Sequence, residues 1–175
     1  VEKPNDLKVN INKWIYSEFL TKKDEIQKNI KGYRFDEAAK NVYQFVWHSF
    51  CDWYLELSKT IYYSDNQLSK DETRHVSAYV FREILILLHP FIPFITEEVW
   101  LKNKLDKNSE DYLMFANWSK EKGKTDKSHI EVNKIINFIT SIRSFKNELG
   151  VPPGSLIEIS LEKSNYEIQS FFDKN

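Results

Sequence analysis

The longest hydrophobic pattern in the chain covers residues 33–57, YRFDEAAKNVYQFVWHSFCDWYLEL. It contains no proline, and Gly32 lies just before it, so about six turns of helix can form. The polar residues Glu37, Asn41, Gln44, His48, Asp52 and Glu56 recur every three or four positions and make one narrow stripe. Phe35, Val42, Tyr43, Phe45, Val46, Trp47, Phe50, Trp53, Tyr54, Leu55 and Leu57 fill most of the rest. A helix apolar around most of its circumference needs neighbours on several sides. The pattern therefore predicts the central rod of a helical bundle, with Asp36 as its N-cap.

Weaker patterns flank the rod. Leu7, Ile11, Trp14, Ile15, Phe19, Ile26 and Ile30 predict a first helix over 6–31, ended by Gly32 in the left-handed conformation. Ser64, Asp65 and Asn66 signal a loop. A third helix is expected from about Asp71, burying Val76, Tyr79, Val80, Ile84, Leu87 and Leu88, until Pro90 and Pro93 break it. A further helix is expected over 96–104, where Glu97 and Glu98 suit the free amides of its first turn. Residues 113–118, LMFANW, read as an extended segment across the bundle end.

Residues 119–127, SKEKGKTDK, read as the clearest linker. Beyond it an amphipathic helix is expected over 128–149, with Ile130, Ile135, Phe138, Ile139, Ile142, Phe145 and Leu149 inside and Gly150 as cap. Ile157, Ile159 and Leu161 alternate with Glu158, Ser160 and Glu162, the pattern of a half-buried strand. A last helix is expected over 166–172. The expected fold is mainly α: a helical bundle over 1–120, then a small, truncated α/β C-terminal appendix over 121–175.

Charge refines this picture without deciding it. Twenty-five basic and 26 acidic residues give a net charge of -1, which argues against non-specific polyanion binding by the whole domain. Residues 20–34 nevertheless carry Lys22, Lys23, Lys28, Lys31 and Arg34 against Asp24 and Glu25. This is where phosphate contacts are expected first, with a solvated lysine-rich face as the competing reading. The single cysteine, Cys51, excludes an internal disulfide and a cysteine-based zinc site. No apolar run approaches the ~18 residues of a membrane span, and VEKPND is not a signal peptide. A cytoplasmic setting without a membrane partner is expected, and the abrupt ends read as those of an excised fragment.

No catalytic constellation emerges. Glycines 32, 123, 150 and 154 are scattered, so there is no Gly-rich phosphate loop. His48, His75, His89 and His129 are far apart, and His48 near Cys51 reads as a helix-face histidine beside a buried thiol rather than a metal pair. No catalytic residue, metal or cofactor is expected in this chain.

Three ordered segments carry a family resemblance. FDEAAKNVYQFVWHSFCDWYLEL resembles the core helix of the anticodon-binding domain of class I aminoacyl-tRNA synthetases of the valyl, isoleucyl and leucyl group. LLHPFIPFITEEVW over 87–100 resembles that group's "LHPFMPFITEELW" helix pair, and IRSFKNELGVPP over 142–153 resembles the valyl "IRNLRAEMNVPP" segment. The FCDWYLE and VPP segments are closest to the valyl branch. The resemblance implies recognition of the anticodon stem-loop of tRNA-Val. It also implies contact with the remainder of a synthetase chain, whose separate catalytic domain would use ATP and valine. That domain's HIGH-type and KMSKS-type signatures do not occur here, so this chain alone is expected to be inactive.

Residue roles implied by the resemblance follow the motif positions. An aromatic residue of the central helix that stacks on an anticodon base maps to Phe45; a core role for that ring is the equal alternative. Contacts from the end of the first helix map near Gln27, with Lys31 and Arg34 as the nearby cations. The segment after the helix pair maps to Phe115 and Ala116, the latter offering only backbone groups. Lys40 lies within reach of a phosphate, although a surface lysine is the plainer reading. Tyr43 and Trp47, one turn apart, form either a second stacking surface or, as helical spacing favours, core. Arg143 and Lys146 face either the tRNA stem or the catalytic body. The rival readings are the same domain of an isoleucyl or leucyl enzyme, and a helical protein-interaction module that binds no RNA.

Overall fold

The computed structural model describes residues 1–103, 112–123, 127–152 and 154–158, with Lys127 and Ser128 described by backbone alone. The described residues form helices and turns and no strand. The strand expected over 156–162 falls outside them except for residues 156–158, which are not strand, and the helix expected over 166–172 lies wholly outside.

α1 (Asn10–Lys31) starts later than its apolar pattern, and its N-cap Val9 has no capping side chain. A carboxylate from another helix replaces it. Glu72 accepts the Lys8 and Val9 amides at 2.9 and 3.0 Å and the Asn12 side-chain amide at 2.9 Å. An anion at a helix N-terminus satisfies free donors and meets the positive end of the dipole.

The rod runs without a break through α2 (Phe35–Gln44), a π-helical segment (Phe45–Tyr54) and α3 (Leu55–Tyr63), since Gln44, Phe45, Tyr54 and Leu55 are all right-handed helical. Its buried positions are Ala38, Val42, Phe45, Phe50, Tyr54 and Ser58. The five-residue step from Phe45 to Phe50 lies on one face because i→i+5 bonding winds the π segment more loosely than an α-helix. Burial is thus one continuous side, not most of the circumference: Phe35, Tyr43, Trp47 and Leu55 are exposed. The N-cap is Arg34, and Asp36 lies in the first turn.

α4 (Gln67–Leu88) begins at Asn66, whose side chain accepts the Ser69 amide at 3.1 Å. α1, the rod and α4 pack on one another, and α5 (Pro93–Asn103) packs on α4. Trp14, Ile15, Phe19 and Ile26 of α1 meet the rod's buried side and Val76, Val80, Ile84 and Leu87 of α4. Leu85 and Ile86 form a second cluster with Trp100 of α5 and Leu113. Each fully buried side chain of this size contributes about 1.5–3 kcal/mol.

α5 begins at Pro93 rather than Thr96, consistent with proline's fitness for the first helical position. Thr96 is buried and bonds back to Ile92 and Pro93 carbonyls, while its hydroxyl meets His89 Nδ1 at 2.9 Å. Glu97 accepts the Leu113 amide at 3.0 Å, and Glu98 pairs with Lys102 at 2.9 Å. Residues 113–118, expected to be extended, open as a 3-10 turn (Leu113–Phe115) and become extended only at Ala116.

The described part of the expected linker, residues 119–123, is a strap held along α1. Buried Lys23 donates to the carbonyls of Ser119 (3.0 Å) and Glu121, and pairs with Asp24 at 3.1 Å. Tyr16 donates to Glu121 at 2.7 Å, and Asp24 accepts the Gly123 amide at 3.1 Å. A Cβ on Gly123 would lie 2.8 Å from backbone atoms of Thr21, so the close approach requires glycine. The Gly123 bond and Lys23 hold the Asp24 carboxyl below its usual range, against the opposing effect of burial.

α6 (Lys127–Glu148) contributes residues to each of two compact units, Val1–Ile136 and Asn137–Asn175. In the first unit Val132 is buried in the main core. Asn133 accepts from Trp14 Nε1 at 3.2 Å and meets His129 Nδ1 at 3.0 Å, and His129 Nε2 meets Glu18 at 3.0 Å. Contrary to the amphipathic pattern, Ile130, Phe145 and Leu149 are exposed. In the second unit α6 ends on Gly150 with φ +65°, as expected of a glycine cap.

Candidate nucleic-acid interface

The end of α1, the turn after it and the outer side of α2 bring together most of the expected contact residues. Lys28 and Lys31 occupy the last turn of α1, where cations also complement the dipole. Lys31, Arg34 and Lys40 are exposed and Gln27 is half-buried. Among the described residues, Lys28, Lys31, Arg34 and Lys40 form no ion pair with a carboxylate. Asp36 and Glu37 follow in the first turn of α2 and reduce the local positive charge.

The aromatic assignment changes. Phe45 is 0% exposed, its ring centroid 6.2 Å from that of Phe19. The expectation that Phe45 offers a face to a base is corrected in favour of its core alternative: α1 already occupies that side of the rod. Tyr43 and Trp47 are instead 59% and 53% exposed, with ring planes within 5° of parallel and centroids 6.3 Å apart. His48 stands edge-on to Tyr43 and meets Asp52 at 3.2 Å. Lys40 and Tyr43 of α2 and Trp47 of the π-helical segment follow i, i+3, i+7 spacing, and all three are exposed on the rod.

No helical period in the sequence anticipates this. After Phe45 the next α-helical core positions are His48 and Ser49, both polar, and only the π-helical winding brings Phe50 onto the same buried side. Cys51 beside it is partly buried, and burial, then the Asp52 charge, raises its thiol pKa.

Phe115 ends a different element, the 3-10 turn anchored to α5 by Glu97, and Ala116 follows it in extended form. Phe115 is exposed, and Ala116 packs partly against the Leu85, Ile86, Trp100 and Leu113 cluster. Beside them α5 exposes Phe94 and Ile95. In the second unit Arg143, Ser144, Lys146, Asn147 and Val151 line one cleft, where Lys146 donates to the Ser155 carbonyl at 2.7 Å.

A helical bundle that leaves a parallel aromatic pair and a row of cations at one end belongs to the class of domains suited to nucleic-acid contact. Residues 12–161 match the family described as the anticodon-binding domain of tRNA ligase, and the chain belongs to that family. It is 60% identical over 174 residues to the valine–tRNA ligase of Pelagibacter ubique, covering 99% of this chain and 20% of that protein. It is 37% identical over 162 residues to the valine–tRNA ligase of Mesorhizobium japonicum, covering 92% of this chain and 18% of that protein. The chain spans about a fifth of the length of the curated relatives it matches.

Proposed function

We propose that this chain holds the anticodon stem-loop of tRNA-Val, as the recognition part of a synthetase that joins valine to tRNA with ATP. The observation that carries this reading is the exposed Tyr43–Trp47 pair on the same helix face as Lys40. Anticodon bases can be unstacked, laid on aromatic faces and read along their edges, at about 1–3 kcal/mol per stacked base. Lys28, Lys31, Arg34 and Lys40 would hold phosphates and set the register without reading sequence. Gln27 would serve as a neutral hydrogen-bonding group beside them, and Phe115 and Ala116 would belong to a second contact.

In this reading ATP and valine bind a catalytic domain outside this chain, in the cytoplasm, and the chain by itself selects RNA without catalysing transfer. The exposed apolar face of α5 supports a contact with the remainder of the synthetase. The small α/β appendix expected over 121–175 belongs to the same proposal.

The test is binding of a tRNA-Val anticodon stem-loop at low salt, compared with a loop whose central and third anticodon bases are changed. The native loop is expected to bind best, and Trp47→Ala to weaken it by about 1 kcal/mol or more. Equal binding of both loops would reduce the domain to an electrostatic dock.

A further inference from the structure

We propose that Tyr33 is held in a strained backbone for the sake of its ring, and that Tyr33 and Phe35 form a second corner that takes an unpaired RNA base. This deepens the anticodon-loop reading and rests on it. α1 ends in a Schellman motif: Arg34 N–H donates to Asn29 O at 2.9 Å and Tyr33 N–H to Ile30 O at 3.0 Å. That pairing demands positive φ at the residue after the helix, where glycine is usual and an L side chain is disfavoured. Tyr33 occupies it at φ +57°, while Gly32, which the sequence suggests for the role, has φ -88°. α6 closes with the same bonds, Val151 to Lys146 O and Gly150 to Asn147 O, and there the left-handed residue is Gly150.

Packing does not compensate for the strain. Tyr33 is 83% exposed, and its ring contact among the described residues is edge-on to Phe35 at 6.2 Å and 84°. An edge-on pair of exposed rings leaves an open face at an angle to its neighbour, the shape that receives a flat base. Lys31 and Arg34 flank the turn, so a phosphate of the same nucleotide has a cation within a residue or two on either side. A residue that lowers stability at the tip of a turn, and is neither buried nor conformationally suited there, has the profile of a ligand contact.

Tyr33→Gly, Tyr33→Phe and Trp47→Ala forms of the 175-residue chain would be compared with wild type for melting temperature and for binding the tRNA-Val anticodon stem-loop. Tyr33→Gly is expected to melt about 2–4 °C higher and to bind roughly five- to a hundredfold more weakly. Tyr33→Phe is expected to keep wild-type affinity. If Trp47→Ala weakens binding and Tyr33→Gly does not, the corner proposal is overturned while the anticodon reading stands. A lower melting temperature for Tyr33→Gly would remove the strain argument and overturn it as well. No binding by wild type at low salt would overturn both.

Discussion

The ring of Phe45 meets that of Phe19 inside the bundle, with centroids 6.2 Å apart and planes at 44°. Two residues earlier, Tyr43 faces solvent. Neighbouring aromatics on one helix therefore do opposite work, and substitution should separate them. Phe45→Ala is expected to cost about 3–5 kcal/mol of stability, read as a lower midpoint in urea. Trp47→Ala is expected to change the midpoint by less than about 1 kcal/mol equivalent while weakening RNA binding.

Glu72 acts as a cap supplied from outside the helix it caps. Its carboxylate serves two backbone amides and Asn12, whose oxygen in turn accepts the Tyr54 hydroxyl at 2.9 Å. Glu72→Ala should leave those donors without their partner and cost about 1–3 kcal/mol. Hydrogen exchange should quicken at residues 8–12 before it does elsewhere in α1; unchanged protection there would refute the capping role.

Gly123 lets the strap lie against α1. Gly123→Ala would press a Cβ into the backbone of Thr21, and Thr21→Ala cannot relieve the overlap because two of the three nearest atoms are backbone. The expected cost is about 1–3 kcal/mol, with little rescue in the double variant by thermal melting.

Alkaline pH should destabilise the fold through its tyrosines. Burial pushes the Tyr79 hydroxyl up to about 12, with the Glu83 charge adding to the effect. Tyr54 and Tyr16 are raised further, each chiefly by burial. A raised folded pKa means that stability is complete below the unfolded value of 10.0 and is lost as pH rises through the folded values. Each such tyrosine contributes at most about 1.4 kcal/mol per pH unit in that window. Urea midpoints should hold to about pH 9 and fall steeply from 10 to 11, less so in Tyr79→Phe.

Glu83 carries the opposite sign to an ordinary salt-bridged acid. Burial raises its pKa despite Arg82 at 2.6 Å, so its charged form is disfavoured in the folded state. Between its unfolded value of 4.5 and its folded value, this group's contribution to stability should fall as pH rises. Comparing Glu83→Gln with wild type from pH 4 to 7 should show the difference shifting toward the variant at the higher pH.

Helix content, the order of the helices and the family were legible in the sequence, because apolar spacing and the FCDWYLEL, LHPF and VPP segments are local properties of the chain. The Gly150 cap was legible for the same reason: a glycine after an amphipathic run has one common use. What escaped the sequence depended on distant groups. Periodicity alone could not say that α1 would cover Phe45 and leave Tyr43 and Trp47 bare, since all three lie in one apolar run. Glu72 could not be seen as the cap of a helix some sixty residues earlier, nor residues 119–123 as a strap along α1. Gly32 and Tyr33 exchange the roles their residue types suggest because the Schellman bonds, counted back to Asn29 and Ile30, set which of them turns left-handed. Local preference determined which segments are helical; only tertiary packing decided which face of each was covered, and so which aromatic rings remain free to meet a ligand.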